Sequence, residues 1–325
     1  MKRIILLLTV VVFLTQGISI AQNQVFLANA VDGNQIIHRT WYSLSYNEAY
    51  EQADWVAYEL TATEVNGTTP RKDSFKGDFK ITTGTAGYGD YANSGYDRGH
   101  LIPAADLKMS EESMSSSFYY SNISPQHRSF NRGIWRSLES IVRNWALTEE
   151  RVYVITGPVL SKGIIESIGE NEIGVPKYFY KVVYDPTDER KAIGFILENS
   201  DGNDLPITNY AVTVDSVESF TGLDFYHNLE DSLEEPFEST IDISLWEFNS
   251  TVSTTSNNGS AVNSRTSSNT QNRNVRSTST AQCEYYNGRK IYTGPRGGKY
   301  YINSNGNKTY VSGDRRSRIV RRACN

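Results

Sequence analysis

The sequence predicts an α+β fold with a mixed or antiparallel sheet at its core, followed by a small basic C-terminal module. Short apolar runs bounded by turn residues are typical of strands. Helical patterns are interspersed with them, without the strict alternation of a parallel α/β protein. A long polar stretch separates the body of the chain from its tail, and 325 residues suffice for one large core plus an accessory module.

Residues 1–21 have the order of a secretory signal peptide. Two basic residues precede an apolar run from Ile4 to Leu14, and Ser19 and Ala21 follow with the small side chains of a cleavage site. The run is shorter than the roughly 20 residues that a spanning helix needs. We therefore expect the segment to be removed, the protein to be secreted or periplasmic, and the mature chain to lack a membrane span.

The body, residues 22–248, contains three clear strand patterns. These are VYVITGPVL (152–160), YFYKVVYD (178–185) and KAIGFILEN (191–199). Each run is rich in β-branched and aromatic residues and is bounded by turn residues, as in strands of one sheet.

Two helical patterns are expected in the same body, near Tyr46 to Leu60 and from Arg132 to Leu147. In the second, an apolar stripe at i, i+4, i+7 and i+11 consists of Ile134, Leu138, Ile141 and Trp145. Polar residues repeat that spacing on the opposite side, at Arg132, Arg136, Glu139 and Arg143. A functional site that uses Glu139 should therefore lie on the polar side of this helix.

Residues 249–282 consist almost entirely of Ser, Thr, Asn, Gln and Arg, so they are expected to form a flexible linker. Residues 283–325 follow as a small module of tyrosine-rich strands. Its two cysteines, Cys283 and Cys324, are the only ones in the chain. In an oxidising compartment we expect a disulfide that closes the module, the alternative being two free thiols.

The charge is divided unevenly between these parts. Residues 23–248 carry 17 Lys+Arg and 35 Asp+Glu, a net charge of -18, whereas residues 283–325 carry 10 and 2, a net charge of +8. The negative field of the acidic body repels a polyanion such as nucleic acid, whereas the basic module attracts one.

The segment YDRGHLIPAAD, residues 96–106, contains the first candidate site residues. His100 has an unperturbed pKa near 6.5 and can accept a proton from water at neutral pH. Arg98 offers a planar fork for a phosphate, and Gly99 permits a close backbone approach to a substrate or metal. Asp97 can orient either neighbour. The alternative is an exposed turn without a function.

The second candidate segment, residues 119–143, supplies amides, a carboxylate and cations. Asn131 with a nearby Glu139 provides the few protein oxygens that Mg²⁺ prefers. The alternatives are an N-cap for Asn131 and a surface ion pair between Glu139 and Arg143.

These residues resemble the DNA/RNA non-specific endonuclease family of ββα-metal nucleases. The resemblance rests on DRGH at 97–100, then NISPQ from Asn122, then NRGIWRSLESIVR from Asn131 to Arg143. It extends more weakly over residues 40–245 and includes the spacing of Arg71, Phe75 and Asp78. Four residues alone would be weak evidence, but the joint spacing is specific. It implies a ββα-metal motif within the α+β core.

The resemblance also implies roles for individual residues. His100 matches the general base, Asn131 the direct ligand of a single Mg²⁺, and Glu139 a carboxylate that reaches the metal through water. Mn²⁺ is an alternative to Mg²⁺. The resemblance further implies that Arg98 and Arg143 are cations beside the scissile phosphate. Asn122 matches an amide that positions the site.

The resemblance implies hydrolysis of phosphodiester bonds that leaves 5′-phosphate ends. Because none of these groups reads a base edge, we expect both DNA and RNA to be cut. Further candidates for nucleic-acid contact are Arg128, Arg132, Arg136, Arg296 and Lys299. Two other functions stay open: a non-catalytic nucleic-acid-binding protein that acts through its basic module, and a phosphodiesterase for another substrate. The module itself suits nucleic-acid tethering, but equally a solubilising tail, an envelope anchor or a secretion signal. Monomer and homodimer are both possible.

Overall fold

The structure is a computed structural model that describes residues 26–187 and 190–248, with segments 282–286, 289–293, 299–302, 308–310 and 320–323 of the C-terminal module. The expected signal peptide, residues 249–281 of the expected linker, Arg296 and the Cys283–Cys324 pairing lie outside the described residues. No helix in the described part of the chain is long and apolar enough to cross a bilayer.

The body is organised around one seven-stranded sheet in which every neighbouring pair is antiparallel, in the order β1-β2-β3-β6-β9-β10-β11. Its strands are β1 (Gln35–His38), β2 (Ser43–Asn47), β3 (Gln52–Thr61), β6 (Arg151–Pro158), β9 (Tyr178–Asp185), β10 (Lys191–Glu198) and β11 (Ala211–Val212). The three strands expected from the sequence are present as β6, β9 and β10, and the antiparallel sheet confirms the α+β class.

Two smaller antiparallel pairs flank this sheet. They are β4 (Asp97–His100) with β5 (Ile123–Gln126), and β7 (Ile164–Ile168) with β8 (Ile173–Pro176). The helices are α1 (Ala62–Val65), α2 (Tyr88–Tyr91), α3 (Glu111–Ser116), α4 (Arg128–Phe130), α5 (Arg136–Thr148), α6 (Val214–Thr221) and α7 (Asp231–Glu238). A π-helical turn, Asn131–Trp135, connects α4 to α5.

The prediction of a helix from Tyr46 to Leu60 is wrong, because these residues form the end of β2, a turn and most of β3. β3 lies between β2 and β6 in the sheet, and the side chains on both of its faces are largely buried. Its even-numbered Val56 packs into the core on one face and its odd-numbered Trp55 into the core on the other. Apolar residues on both faces removed the polar alternation by which a half-buried strand is recognised.

The two cores lie on opposite faces of the sheet. One contains Val154, Phe179 and Phe195 and packs against α5, whose Leu138 and Trp145 are fully buried. The other core lies beneath α6. It contains large side chains from the alternate strand positions, which are Ile155, Tyr180, Val182 and Tyr184, and residues of the two helices, which are Val214 and Val217 of α6 and Phe237 of α7. The apolar stripe of α5 thus faces the sheet as expected.

The C-terminal module contains two three-stranded antiparallel sheets. The first has the order β13-β12-β17 and the second β14-β15-β16. Their strands are β12 (Gln282–Tyr286), β13 (Arg289–Lys290), β14 (Tyr292–Thr293), β15 (Lys299–Ile302), β16 (Lys308–Tyr310) and β17 (Val320–Ala323). The tyrosine-rich segments of the sequence are therefore strands. Lys299, a candidate for nucleic-acid contact, is the first residue of β15.

Candidate active site

The candidate site is built on the strand pair β4–β5 and the helical segment that follows it. Gly99 lies opposite Ser124 and His100 opposite Ile123 in this pair. The helical segment then runs from Arg128 through the π-turn to Thr148. This succession of two strands and a helix is the ββα arrangement expected from the sequence.

Gly99 is required by its neighbour on β5. A Cβ atom at this position would lie 2.2 Å from both Cδ and Oε1 of Gln126, whose side chain is fully buried. The expectation that Gly99 allows a substrate or metal to approach the backbone is therefore wrong, because the side chain of Gln126 occupies that space. The glycine instead lets the two strands pack closely one residue before His100.

Asn122 holds the backbone that follows His100. Its side-chain amide donates to the carbonyl oxygens of Ile102 (3.0 Å) and Ser117 (2.8 Å), and its Oδ1 accepts from the amide of Ile102 (2.9 Å). The side chain is fully buried. With these contacts made, Asn122 acts on the site through the backbone at Ile102, as a positioning residue.

His100 is packed between aromatic rings. Its ring centroid lies 5.6 Å from that of Phe75 and 4.9 Å, edge to face, from that of Phe118. The residue is 8% exposed, and its Nε2 has no hydrogen-bond partner among the described residues. Burial, with the nearby positive charge of Arg71, lowers the pKa of His100 to about 3. The imidazole is therefore neutral at physiological pH.

Asp97 connects β4 to the start of the helical segment. Its carboxylate accepts a hydrogen bond from Nδ2 of Asn131 (2.9 Å) and two from Arg132 (2.7 Å each). Burial raises the pKa of Asp97, but the hydrogen bonds from Arg132 and Asn131 outweigh it and the pKa is lowered. Asp97 thus orients two residues of the helical segment, not its neighbours Arg98 and His100 as expected.

Asn131 does not act as an N-cap. It lies inside the helical segment with helical dihedral angles (φ -58°, ψ -47°), after α4 and at the start of the π-turn. Because Nδ2 donates to Asp97, Oδ1 is directed away from that carboxylate, and it accepts no hydrogen bond from the residues that the structure describes. An amide oxygen held in this way suits a hard divalent cation.

Glu139 and Arg143 do not form the alternative surface ion pair. Arg143 Nη1 bonds Asp106 Oδ1 at 2.8 Å, and Tyr58 donates to Oδ2 of the same carboxylate at 3.0 Å. Asp106 is 1% exposed, whereas Glu139 and Arg143 are half-buried. This part of the helix faces the body of the protein, so the expected polar stripe is exposed only at its Arg132 and Arg136 end.

Lys181 completes this group from the neighbouring strand β9. It is fully buried, its ammonium nitrogen lies 4.8 Å from the centre of the Trp135 ring, and this nitrogen has no hydrogen-bond partner in the described part of the chain. Burial raises the pKa of Glu139, and the positive charges of Arg143 and Lys181 partly offset this rise. Burial lowers the pKa of Lys181, and the negative charge of Glu139 partly offsets this fall. Lys181 is therefore a countercharge for Glu139.

A pocket of about 400 Å³ opens beside Asp97 and Asn131. It is lined by Arg71, Asp73, Phe75, Tyr88, Tyr91, Ala92, Tyr96, Asp97, Arg98, Asn131 and Arg132. The guanidinium of Arg98 stacks 3.8 Å from the centre of the Phe75 ring. Since Phe75 contacts both Arg98 and His100, the ring links the pocket to the histidine.

The pocket thus gathers only part of the expected site. Arg98, Asn131 and Arg132 line it, whereas Glu139 and Arg143 lie in the group around Asp106. Arg128, 64% exposed, approaches Asp97 at 3.8 Å. The resemblance drew attention to Arg71 and Phe75 without giving them roles, and Asp73, Tyr88, Asp106 and Lys181 were missed. Their role in the site becomes visible only from their neighbours in the folded chain, because no sequence motif gives any of them a role.

Two family models match this chain. Residues 23–232 match the model of the DNA/RNA non-specific endonuclease family, and residues 287–317 match that of the PBCV-specific basic adaptor domain. The first match covers most of the body.

Relatives are found among nucleases of distant organisms. The chain is 34% identical over 203 residues to the mitochondrial nuclease EXOG of Danio rerio, covering 58% of this chain and 59% of that protein, less than two thirds of its length. It is 34% identical over 210 residues to nuclease C1 of Cunninghamella echinulata, covering 60% of this chain and 83% of that one. A nuclease of Nostoc sp. is 30% identical over 221 residues, covering 64% and 79% of the two chains.

The fold is also shared with a solved structure. A chain of the EndoG/EndoGI complex superposes with a TM-score of 0.56 at 31% identity, covering 61% of this chain and 88% of that one. With a family match over residues 23–232, and with the antiparallel sheet and the ββα segment in place, the chain belongs to the DNA/RNA non-specific endonuclease family, a family of hydrolytic enzymes.

Proposed function

We propose that the protein is a secreted, Mg²⁺-dependent endonuclease that hydrolyses phosphodiester bonds of DNA and RNA and leaves 5′-phosphate ends. The observation that carries the proposal is the orientation of Asn131 by Asp97. It presents an amide oxygen without a hydrogen-bond donor in a pocket whose other polar groups include Arg71, Arg98 and Arg132.

Asn131 in the pocket and Glu139, further along the same helical segment, form a donor set that fits a divalent cation. Asn131 would hold it directly through Oδ1, and Glu139, which makes no hydrogen bond to the described residues, would reach it through water. When bound, such a cation neutralises charge on the phosphate and assists departure of the leaving oxygen. Mg²⁺ prefers few protein oxygens and several retained waters, which suits this small set; Mn²⁺ has similar preferences.

His100 is the proposed general base. Its ring is neutral, so it can take a proton from water while the water oxygen attacks phosphorus. The bond between phosphorus and the 3′ oxygen then breaks, and the 3′ oxygen takes a proton from solvent. The phosphate stays on the 5′ side of the next nucleotide, which accounts for the proposed ends.

The cations of the pocket are proposed to bind the substrate backbone. Arg98 is stacked on Phe75, which restricts its motion and leaves the guanidinium free for a phosphate. Arg132 and Arg128 are 67% and 64% exposed at the rim, and Arg136 is exposed one turn further on. Such contacts give affinity that depends on salt and little on sequence, which supports action on both DNA and RNA.

Export and tethering complete the proposal. The signal-peptide pattern of residues 1–21 supports secretion or a periplasmic location. The net charge of +8 in residues 283–325 supports a role for the C-terminal module in holding nucleic acid near an acidic body.

The proposal is tested by incubating the full chain with duplex DNA and with RNA in Mg²⁺, Mn²⁺ or EDTA, and by analysing the new ends. We expect cleavage of both polymers with either metal, none in EDTA, and fragments that polynucleotide kinase labels only after phosphatase treatment. Asn131→Ala should lose the metal-dependent activity.

Two outcomes would favour the alternatives. Retention of DNA without cleavage under every condition would indicate a binding protein that acts through its basic module. Hydrolysis of bis-p-nitrophenyl phosphate, with both nucleic acids left intact, would indicate a phosphodiesterase for another substrate.

A further inference from the structure

Three carboxylates meet on the sheet face opposite the candidate active site. Asp215 and Glu218 lie on α6 and Glu238 is the last residue of α7, and both helices pack over the core that contains Tyr184 and Val217. One oxygen from each carboxylate lies within 4.8 Å of the other two. Helix α5, with the catalytic residues, packs against the other core.

This group, the α6–α7 acidic cluster, is surrounded by further negative charge. The charged groups that act most strongly on Glu238 are Glu218, Glu234, Asp215 and Asp224, which are all acidic. Burial and these neighbours raise the pKa of Glu238 to about 8. Like charges at such distances destabilise a fold unless a proton or a cation offsets them.

Glu238 is itself buried without a partner. Its side chain is 7% exposed, and Oε1 accepts no hydrogen bond from the residues that the structure describes. Glu218 is held differently, because its Oε1 accepts from the backbone amide of Phe225 at 2.8 Å. The second oxygen of Glu218 is thereby available, and its position is fixed.

Tyr226 is a second buried polar group, and its ring packs against Phe237 of α7. The residue is fully buried, and its hydroxyl has no hydrogen-bond partner among the described residues. Its ring also packs against Tyr184, and the charged groups that act on it most strongly are Glu238 and Glu218. A buried hydroxyl and a buried carboxylate that both lack partners among the described residues are costly unless a ligand or ordered water satisfies them.

We propose that the α6–α7 acidic cluster binds Ca²⁺ through Asp215, Glu218 and Glu238, at a site separate from the catalytic metal. Hard divalent cations prefer carboxylate oxygens, and Ca²⁺ accepts six to eight oxygens at about 2.3 to 2.6 Å in flexible geometry. Two such bonds span about 5 Å, enough to join oxygens that lie within 4.8 Å of one another. Water can complete the shell.

The bound ion has a structural role. It joins α7 to α6, two helices that otherwise bring like charges together, and it stabilises the folded chain by mass action because the unfolded chain has no such site. The inference does not depend on the proposed nuclease activity. An extracellular compartment is where Ca²⁺ at millimolar concentration saturates weak sites of this kind.

The test uses Tb³⁺ as a luminescent probe for Ca²⁺, excited through tyrosine, in the full-length Asn131→Ala protein so that the catalytic site does not contribute. We expect Tb³⁺ emission that Ca²⁺ displaces, and a rise in melting temperature with Ca²⁺. The double variant D215N/E238Q should lose the displaceable emission, with at least a tenfold weaker affinity. E235Q, which removes an exposed carboxylate of α7 outside the cluster, is the matched control and should bind normally.

Tyr226→Phe separates the probe from the ligands. It should reduce the emission through altered energy transfer, while the rise in melting temperature with Ca²⁺ persists. The proposal is overturned if Ca²⁺ leaves the melting temperature unchanged while E238Q alone raises it, because a protonated Glu238 would then account for the cluster. Equal Tb³⁺ affinity in D215N/E238Q and E235Q would overturn it as well.

Discussion

The carboxylate of Asp97 accepts a 2.9 Å hydrogen bond from the side-chain amide of Asn131, across 34 residues of sequence. The bond fixes which atom of Asn131 faces the pocket. If it were lost, the amide could rotate and present Nδ2, a donor that cannot bind a cation.

Asp97→Ala should therefore raise the Mg²⁺ concentration for half-maximal activity by about 10- to 100-fold, the usual cost of losing a group that orients a metal ligand. Excess Mg²⁺ should restore much of the activity. Arg132→Gln is the contrasting variant, since it keeps the bond between Asp97 and Asn131 while removing a rim cation. It should weaken binding of nucleic acid and leave the Mg²⁺ requirement nearly unchanged; identical Mg²⁺ curves for the two variants would contradict this account.

The low pKa of His100 predicts a specific loss of stability in acid. Between about pH 6.5 and pH 3 the unfolded chain binds a proton at this residue and the folded chain does not, so the free energy of unfolding falls as pH falls. Linkage gives about 2 kcal/mol from pH 6.5 to pH 5 for one such group. Urea unfolding of His100→Gln should lack this component, whereas His38→Gln, at an exposed histidine, should behave as wild type. Equal acid sensitivity in the two variants would show that His100 titrates normally.

Lys181 is predicted to keep Glu139 ionised. Replacing it by Met removes a buried countercharge, so the pKa of Glu139 rises further and more of the carboxyl is protonated at a given pH. The acidic limb of the kcat profile should shift to higher pH in K181M. Lys177→Met, which removes an exposed lysine four residues earlier, should leave the profile unchanged. A wild-type profile in K181M would mean that Lys181 contributes packing against Trp135 alone.

Gly99 offers a test of the β4–β5 contact. Gly99→Ala places a methyl group against the buried side chain of Gln126, and such overpacking typically costs about 1 to 3 kcal/mol. The shift should also move His100, so kcat should fall by more than stability alone explains. Gly89→Ala is the control, because a Cβ there meets no atom within 4 Å. We expect chemical denaturation to separate the two variants clearly.

The sequence predicted what depends on local pattern. β6, β9 and β10 were recognisable because each is a continuous apolar run with turn residues at its ends, and α5 because Leu138 and Trp145 repeat at helical spacing. β3 was mistaken for a helix because a central strand that is apolar on both faces lacks alternation.

The site was predictable only in its parts. The spacing from DRGH to Asn131 and Glu139 indicated the ββα segment, but not how its side chains pair. Asp97 with Asn131 and Arg143 with Asp106 are contacts between distant segments, so no window of sequence contains both partners. Lys181 illustrates the limit most clearly, since a lysine in a strand predicts solvent exposure and only the fold places it beneath Trp135.

The central claim is that a neutral, buried His100 is the general base of a metal-dependent nuclease. The most direct measurement is kcat on duplex DNA in saturating Mg²⁺ for wild type and His100→Ala, with folding verified by circular dichroism and substrate binding by filter retention. Loss of a general base predicts a fall in kcat of about 10²- to 10⁴-fold with retained DNA binding. A folded His100→Ala protein that cleaves DNA at the wild-type rate would contradict the account.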